Sequence, residues 1–308
     1  MKKWIWALLL LVIVLVVVAW WMPATVQVQQ TLVLKRPLSA VERSMINTRR
    51  WPEWWPGKQV ADSVYEHAGH RWQINTVLLN GFTATDLDQP GRYYDCKIVL
   101  MENNQTALSL TVWQQAGANP ISKLQANFSK AAYQRFAESW LTAVASYFES
   151  DERLYGFKVV PAKVKDSSYI SVRSYFDHEP TVADVYGLID ELRTYISTKG
   201  GQAVNAPIMN VYRESATRYE LMVAIATAFD LPSTNRYQLK KMMLGNILEG
   251  EVKGGLYTVA RAEENMRLYA NDYRKISPAI PFQQLVTDRR IEPDTSKWIT
   301  RVYYPIFN

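Results

Sequence analysis

Seven apolar residues, Leu124, Phe128, Ala132, Phe136, Trp140, Val144 and Tyr147, recur every three or four positions. At 3.6 residues per turn they fall on one side of a helix. A stripe so rich in large side chains must be covered, and the sequence ahead of it supplies the cover. Val26, Val28, Leu32 and Leu34 share one parity. So do Trp72 and Ile74, then Tyr94, Cys96, Ile98 and Leu100, then Leu108, Leu110 and Val112. Each group reads as a strand with one buried face. Polar turns such as Glu102-Asn103-Asn104 separate them, which predicts an antiparallel meander with the helix laid on it. Pro37 ends the first strand, and Leu38 to Arg43 read as a short helix before a turn-rich loop at Trp51 to Gly57.

The chain has 308 residues, enough for two domains at about 100–200 residues each. Hydrophobic residues make up 48% and charged residues 21%, which excludes a disordered tail. Lys+Arg 35 against Asp+Glu 29 gives +6, without the concentrated basic stripe of a nucleic-acid binder. Residues 4–22, from Trp4 to Met22, form an unbroken apolar run preceded by Lys2 and Lys3 and flanked by tryptophans. That pattern predicts a single-pass anchor over residues 1–23 in the cytoplasmic membrane, with the N-terminus inside and the remainder outside. The single cysteine, Cys96, excludes a disulfide framework, and three histidines are too few for most His-built centres. His67-Ala68-Gly69-His70 falls in a turn between strands, so no metal is expected there. No phosphate loop, nucleophile elbow or dinucleotide fingerprint is present, and no cofactor is expected.

The first soluble segment spans 24–152, a linker covers 153–166, and a second segment runs over 167–308. In the second, Ile170, Val172 and Phe176 alternate in a strand. Val182, Val185, Ile189, Leu192 and Ile196 keep helical spacing, and Lys199-Gly200-Gly201 stops that helix. Strands follow at Ala206 to Tyr212 and Arg218 to Thr227. A second round starts at Val252 to Ala260, read as a turn leading into a strand. It continues with a helix within Glu264 to Val286, interrupted near Pro278 and Pro281, and ends in a strand at Trp298 to Ile306.

The first segment, with its strand, proline, helix and the loop Trp51-Pro52-Glu53-Trp54-Trp55-Pro56, resembles the START-like (SRPBCC, polyketide-cyclase-like) family. The resemblance implies an α+β helix-grip fold, a curved antiparallel sheet around a long C-terminal helix, with a hydrophobic cavity. Trp51, Trp54 and Trp55 would form its lid. Trp72, Trp113, Phe136 and Trp140 would line it. The other reading of these rings is ordinary core packing.

The second segment resembles the GyrI-like effector-binding domain of two strand-helix-strand repeats. Pro207-Ile208-Met209-Asn210-Val211-Tyr212, Gly254-Gly255-Leu256-Tyr257-Thr258-Val259 and Val302-Tyr303-Tyr304-Pro305-Ile306 carry that resemblance in the family's order. The short stretch Arg289 to Lys297 leaves room for the second repeat to lack a strand. The resemblance implies a cleft between repeats for hydrophobic, cationic or aromatic molecules. Glu220 or Met222 would stand at the family's glutamate position, and Tyr212, Tyr257 and Tyr303 would be the aromatic residues. Glu220 and Met222 share a strand face with Ala224 and Ala226, opposite Leu221, Val223 and Ile225.

Together these readings describe a membrane-anchored binding protein or sensor for small hydrophobic molecules. Two alternatives stand beside it: a hydrolase or cyclase acting on such a molecule, and a lipid-binding envelope protein working through a protein partner.

Overall fold

Val26, Val28 and Leu34 turn inward from β1 (Thr25–Leu34), the parity their spacing requires. The computed structural model describes residues 4, 14, 16–277 and 279–307, which divide into two units, Met1–Ser150 and Asp151–Asn308.

In the first unit β1 is followed by α1 (Leu38–Met45), a 3-10 turn (Thr48–Arg50) and the one-turn α2 (Trp51–Trp54). Six strands then meander: β2 (Lys58–Ala61), β3 (Val64–His67), β4 (His70–Leu78), β5 (Gly81–Asp86), β6 (Arg92–Met101) and β7 (Gln105–Gln115). The last strand returns to pair with β1 along its whole length, from Thr25↔Gln115 to Leu34↔Thr106. The antiparallel sheet therefore has the order β1-β7-β6-β5-β4-β3-β2. The apolar stripe is divided at Ser129 into α3 (Pro120–Phe128) and α4 (Lys130–Phe148), and α4 lies against β1 and β7. The break has a local cause: the Ser129 hydroxyl donates to the carbonyl of Gln125 and competes with the helix ladder. Trp140, Val144 and Tyr147 are buried, whereas Phe128 is 82% exposed. Only the C-terminal half of the stripe covers the sheet.

The N-terminal expectation is corrected. Of the run Trp4–Met22, residues 4, 14 and 16–22 are described, and the others lie outside the described residues. Residues 4, 14 and 16–21 are helical. Among the described residues no helix is long and apolar enough to cross a membrane. The single-pass anchor over residues 4–22, and the topology with the N-terminus inside that rests on it, are not supported.

The second unit begins with α5 (Asp151–Tyr155) and β8 (Val159–Lys163), so the stretch read as a linker contributes an edge strand, paired with β13 (Asn246–Lys253). Two rounds follow. The first is β9 (Ser168–Phe176), α6 (Val182–Thr198), β10 (Ile208–Ser215) and β11 (Arg218–Ala226), with β12 (Tyr237–Lys241) added to β9. The second is β13, α7 (Leu256–Asp272), β14 (Phe282–Leu285) and β15 (Ile299–Ile306). The sheet order β12-β9-β11-β10-β14-β15-β13-β8 reads as two mirrored halves that meet where β10 pairs with β14.

Two expectations change here. Leu256 to Ala260 open a helix rather than a strand, because Val259, Ala262, Met266 and Ala270 turn one face onto Leu248, Val252, Val302 and Ile306. The second repeat also keeps its middle strand, shortened to the four residues of β14. Its proline, Pro278, lies outside the described residues.

Helix boundaries follow side-chain chemistry. Thr181 caps α6 through a reciprocal bond with Asp184, and Gly200 ends it at φ +69°, a left-handed position where glycine carries no steric cost. Both helices lie on one face of the sheet. Ile170, Val172, Leu221, Val223 and Ile225 pack there beneath Val185, Ile189, Leu192 and Ile196 of α6. The opposite parity of every strand faces away from the helices.

Candidate functional site in the second unit

The helix-free face of the second sheet gathers most of the residues singled out in the sequence. Glu220, Met222, Ala224 and Ala226 of β11 point to it, with Tyr175, Arg173, Ser171 and Tyr169 of β9 opposite them in register. On the other side of β11 come Tyr212, Asn210 and Ile208 of β10. Across the junction, Ile208 faces Gln284, and Phe282 faces Tyr303, which in turn faces Glu249.

Tyr303 is the best-organised of these side chains. Its ring stacks on Phe282, with centroids 5.0 Å apart and planes 25° apart. Its hydroxyl donates to Oε1 of the buried Gln284 at 3.3 Å. The Gln284 amide donates to Oδ1 of Asn205 at 3.2 Å, and the Asn205 amide donates to Oδ2 of Asp166 at 3.0 Å. Asp166 accepts from Tyr169. One hydrogen-bonded chain thus joins the first strand of the first repeat to the last strand of the second. Burial, reinforced by Glu249, pushes the Tyr303 phenol above its ordinary value. Tyr169 is raised further, by burial and then by the Asp166 carboxylate. Both phenols therefore stay protonated as donors. Tyr169, Ile208, Ala224 and Ala226 form a small apolar floor on this face, against which Phe282 and Met242 pack.

The acids of this face are held by arginines. Glu220 accepts from Arg173 Nε at 3.0 Å and from the Tyr175 hydroxyl at 3.2 Å. Arg301 Nε lies 3.0 Å from Glu251 and 3.5 Å from Glu249.

Of the expected residues, Met222 and Tyr303 lie on the face proper. Glu220 and Tyr212 face each other toward its outer end, with Tyr212 62% exposed. Tyr257 is elsewhere: it occupies the exposed first turn of α7, because Gly254-Gly255 lead into a helix. Phe282, Gln284, Asn205, Tyr169 and Glu249 were not singled out from sequence. Phe282 and Gln284 share a parity that could have marked a strand, but the nearby prolines made the stretch read as a broken helix.

The aromatic residues of the first unit form a core in place of a cavity wall. Trp51, Trp54, Trp55, Trp72 and Trp140 are all buried, and their rings pack on one another and on Phe82. The three indoles expected as a lid are pinned by backbone carbonyls. Trp51 donates to Met45 at 2.7 Å, Trp54 to Ser44 at 3.2 Å and Trp55 to Glu66 at 3.1 Å. Trp113 points the other way. It has the opposite parity to Leu110 and Val112, sits between Gln27 and Tyr93, and is 36% exposed.

Phe136 is half-buried and touches the rings of His67, His70, Trp72 and Tyr94. Beneath it the buried Asp86 carboxylate accepts from the backbone N–H of Asp88 and Gln89 and from the Tyr94 hydroxyl, with Arg92 3.4 Å and His70 3.1 Å away. Among the described residues no group of three His, Cys, Asp or Glu side chains is placed to hold a metal. A surface cleft of about 470 Å³ opens beside Thr48, Arg49, Trp51, Tyr65, Asn75 and Thr76.

No protein-family model and no curated protein matches the chain. Among solved structures it is similar to the EcmrR–DNA complex, at 11% identity and a TM-score of 0.45, over 60% of this chain and 71% of that one. It is also similar to SAV2435 bound to tetraphenylphosphonium, at 12% identity and a TM-score of 0.34, over 49% and 94%. An AHSA1-like protein from Rhizobium etli is similar at 15% identity and a TM-score of 0.30, over 42% and 85%.

Proposed function

We propose that the chain binds small hydrophobic molecules carrying an aromatic group or a positive charge, and that the helix-free face of the second unit is the site. The observation that carries this reading is the half-exposed Phe282–Tyr303 stack, fixed by the Gln284 network and bordered by Glu249. Offset aromatic faces attract a flat ring or a desolvated cation, each such contact contributing about 0.5–2 kcal/mol. The Tyr169, Ile208 and Ala224 floor supplies apolar area, and the buried amides fix orientation. Glu249 and Glu220 each sit beside an arginine, so a cationic ligand shares each carboxylate with a charge already there. Selection for ring shape should therefore exceed selection for charge. The indoles of the first unit are buried in one another, and the cleft beside Trp51 is bordered by Thr48, Arg49, Asn75 and Thr76, so the lipid-binding reading has less support.

The test is calorimetric titration of tetraphenylphosphonium and of a neutral aromatic of similar size into the full chain. Tyr303→Ala should weaken both by about tenfold or more. Glu249→Gln should weaken only the cation. Equal binding by wild type and Tyr303→Ala would remove the proposed site, and turnover of an ester probe abolished by Glu220→Gln would favour a hydrolase instead.

A further inference from the structure

Arg289 and Arg290 are neighbours in sequence and opposite in circumstance. Arg290 is exposed, yet it holds two carboxylates: Nη1 donates to Asp190 at 2.6 Å and Nη2 to Asp288 at 3.0 Å. Arg289 is 6% exposed and has none among the described residues. Its guanidinium lies over the Trp298 ring at 5.0 Å, and Nη2 donates to Oγ1 of the fully buried Thr300 at 3.0 Å. Of the five N–H donors of the guanidinium, that is the one with an acceptor among the described residues. Its backbone N–H is tied to the Tyr186 hydroxyl at 2.8 Å, and that hydroxyl donates to the Thr287 carbonyl, so the arginine is held in place from α6.

Burial without a counter-charge inverts the usual rule. Desolvating a cation costs several kcal/mol unless a carboxylate or phosphate offsets it, and the exposed member of such a pair is the one that tolerates being left alone. Burial pushes the Arg289 guanidinium below its ordinary value, and no carboxylate among the described residues acts to restore it. The planar fork of arginine matches a two-oxygen anion, and the indole plane fixes the fork's orientation. Thr300, fully buried, accepts from Nη2 and so fixes the fork in place from the sheet side.

We propose that Arg289, with Thr300 and Trp298, forms a binding site for a compact oxyanion, a carboxylate or phosphate group. It lies on the helix-covered side of the second sheet, between α6 and β15, and is distinct from the aromatic face described above. The anion supplies the counter-charge that the described residues do not.

The test uses the full chain, with inorganic phosphate and acetate titrated separately against chloride at matched ionic strength, followed by thermal unfolding. Wild type should show a saturable rise in Tm with at least one oxyanion that chloride does not produce. A response to phosphate alone would assign the phosphoryl class, and a response to acetate the carboxylate class. Arg289→Met should abolish the response while unfolding in chloride at a Tm no lower than wild type, since removing an unpaired buried charge relieves its desolvation. Thr300→Val keeps the guanidinium and should raise the apparent Kd by about fivefold, the loss of one hydrogen bond. The proposal is overturned if neither oxyanion exceeds chloride, if Thr300→Val responds as wild type does, or if Arg289→Met keeps the response.

Discussion

Tyr94 lies flat on Trp72, with ring centroids 3.7 Å apart and planes 5° apart, while its hydroxyl donates to the buried Asp86 carboxylate at 2.7 Å. The apolar core and the polar hub of the first unit therefore share one side chain. Tyr94→Phe keeps the stack and removes one donor to a buried carboxylate. It should cost about 1–3 kcal/mol in urea denaturation. Asp86→Ala strands two backbone N–H groups and takes from Arg92 its carboxylate, and should cost more, about 3–5 kcal/mol. A smaller loss for Asp86→Ala than for Tyr94→Phe would show that the hub is an accessory to the stack.

Two tryptophans of the first unit separate core from surface. Trp140 is fully buried against Trp54, Trp55 and Trp72, and Trp140→Ala should cost about 3–5 kcal/mol. Trp113→Ala, on the outer face of β7, should change stability by only about 0.5 kcal/mol. Equal losses would mean that something covers Trp113 in solution.

Gly81 and Gly200 both carry positive φ, but their surroundings differ. A Cβ on Gly81, at φ +152°, would stand 1.8 Å from the Cys96 carbonyl oxygen, so β5 and β6 would have to part. Gly81→Ala should cost more than about 4 kcal/mol or yield no folded protein. Gly200, at φ +69°, meets open space, and Gly200→Ala should cost about 1–2 kcal/mol, the left-handed penalty alone. Circular dichroism melts of the two variants distinguish the cases.

The two units should respond to pH in opposite directions. Burial lowers the His67 pKa from 6.5, so the folded first unit prefers the neutral ring. That stability is complete above the unfolded value and is lost as pH falls through the depressed one. Burial raises the Glu263 pKa from 4.5 against the amide of Gln283, which bonds it at 2.9 Å. That contribution is complete below 4.5 and is lost as pH rises through the raised value. Glu263→Gln should therefore raise Tm at pH 7 and leave it unchanged at pH 4. A lower Tm at pH 7 would mean that the ionised carboxylate is stabilising.

Strand parity carried much of this architecture. The alternation of Leu221, Val223 and Ile225 with Glu220, Met222 and Ala224 separates the helix-covered face from the open one, and β11 follows it. Parity also opposed Trp113 to Leu110 and Val112, a signal that the attraction of a large ring for an interior overrode. The start of α7 was hidden because Leu256 to Val259 has a strand-like composition. The spacing of Val259, Ala262, Met266 and Ala270 was helical all along, and burial against β13 and β15 decided the matter. The fate of the tryptophans was not legible. Whether an indole lines a cavity or fills one depends on the depth between sheet and helix, which no local spacing encodes. The surroundings of Arg289 were equally hidden, since Tyr186, Trp298 and Thr300 come from three separate parts of the chain.

The middle of the second sheet is its narrowest join. β10 and β14 meet through Ile208↔Gln284 and Met209↔Gln283, a seam roughly 7 Å long, whereas β13 and β15 pair along eight residues. Each half carries its own helix, and Leu285 and Phe282 of β14 join the second half to the apolar clusters of the first. Few ladder bonds cross this line, and the Gln284 relay is one of the side-chain links that do. Gln284 and Asn205 thus stand on the two sides of the sheet's shortest ladder, joined by a side-chain bond where the backbone offers few.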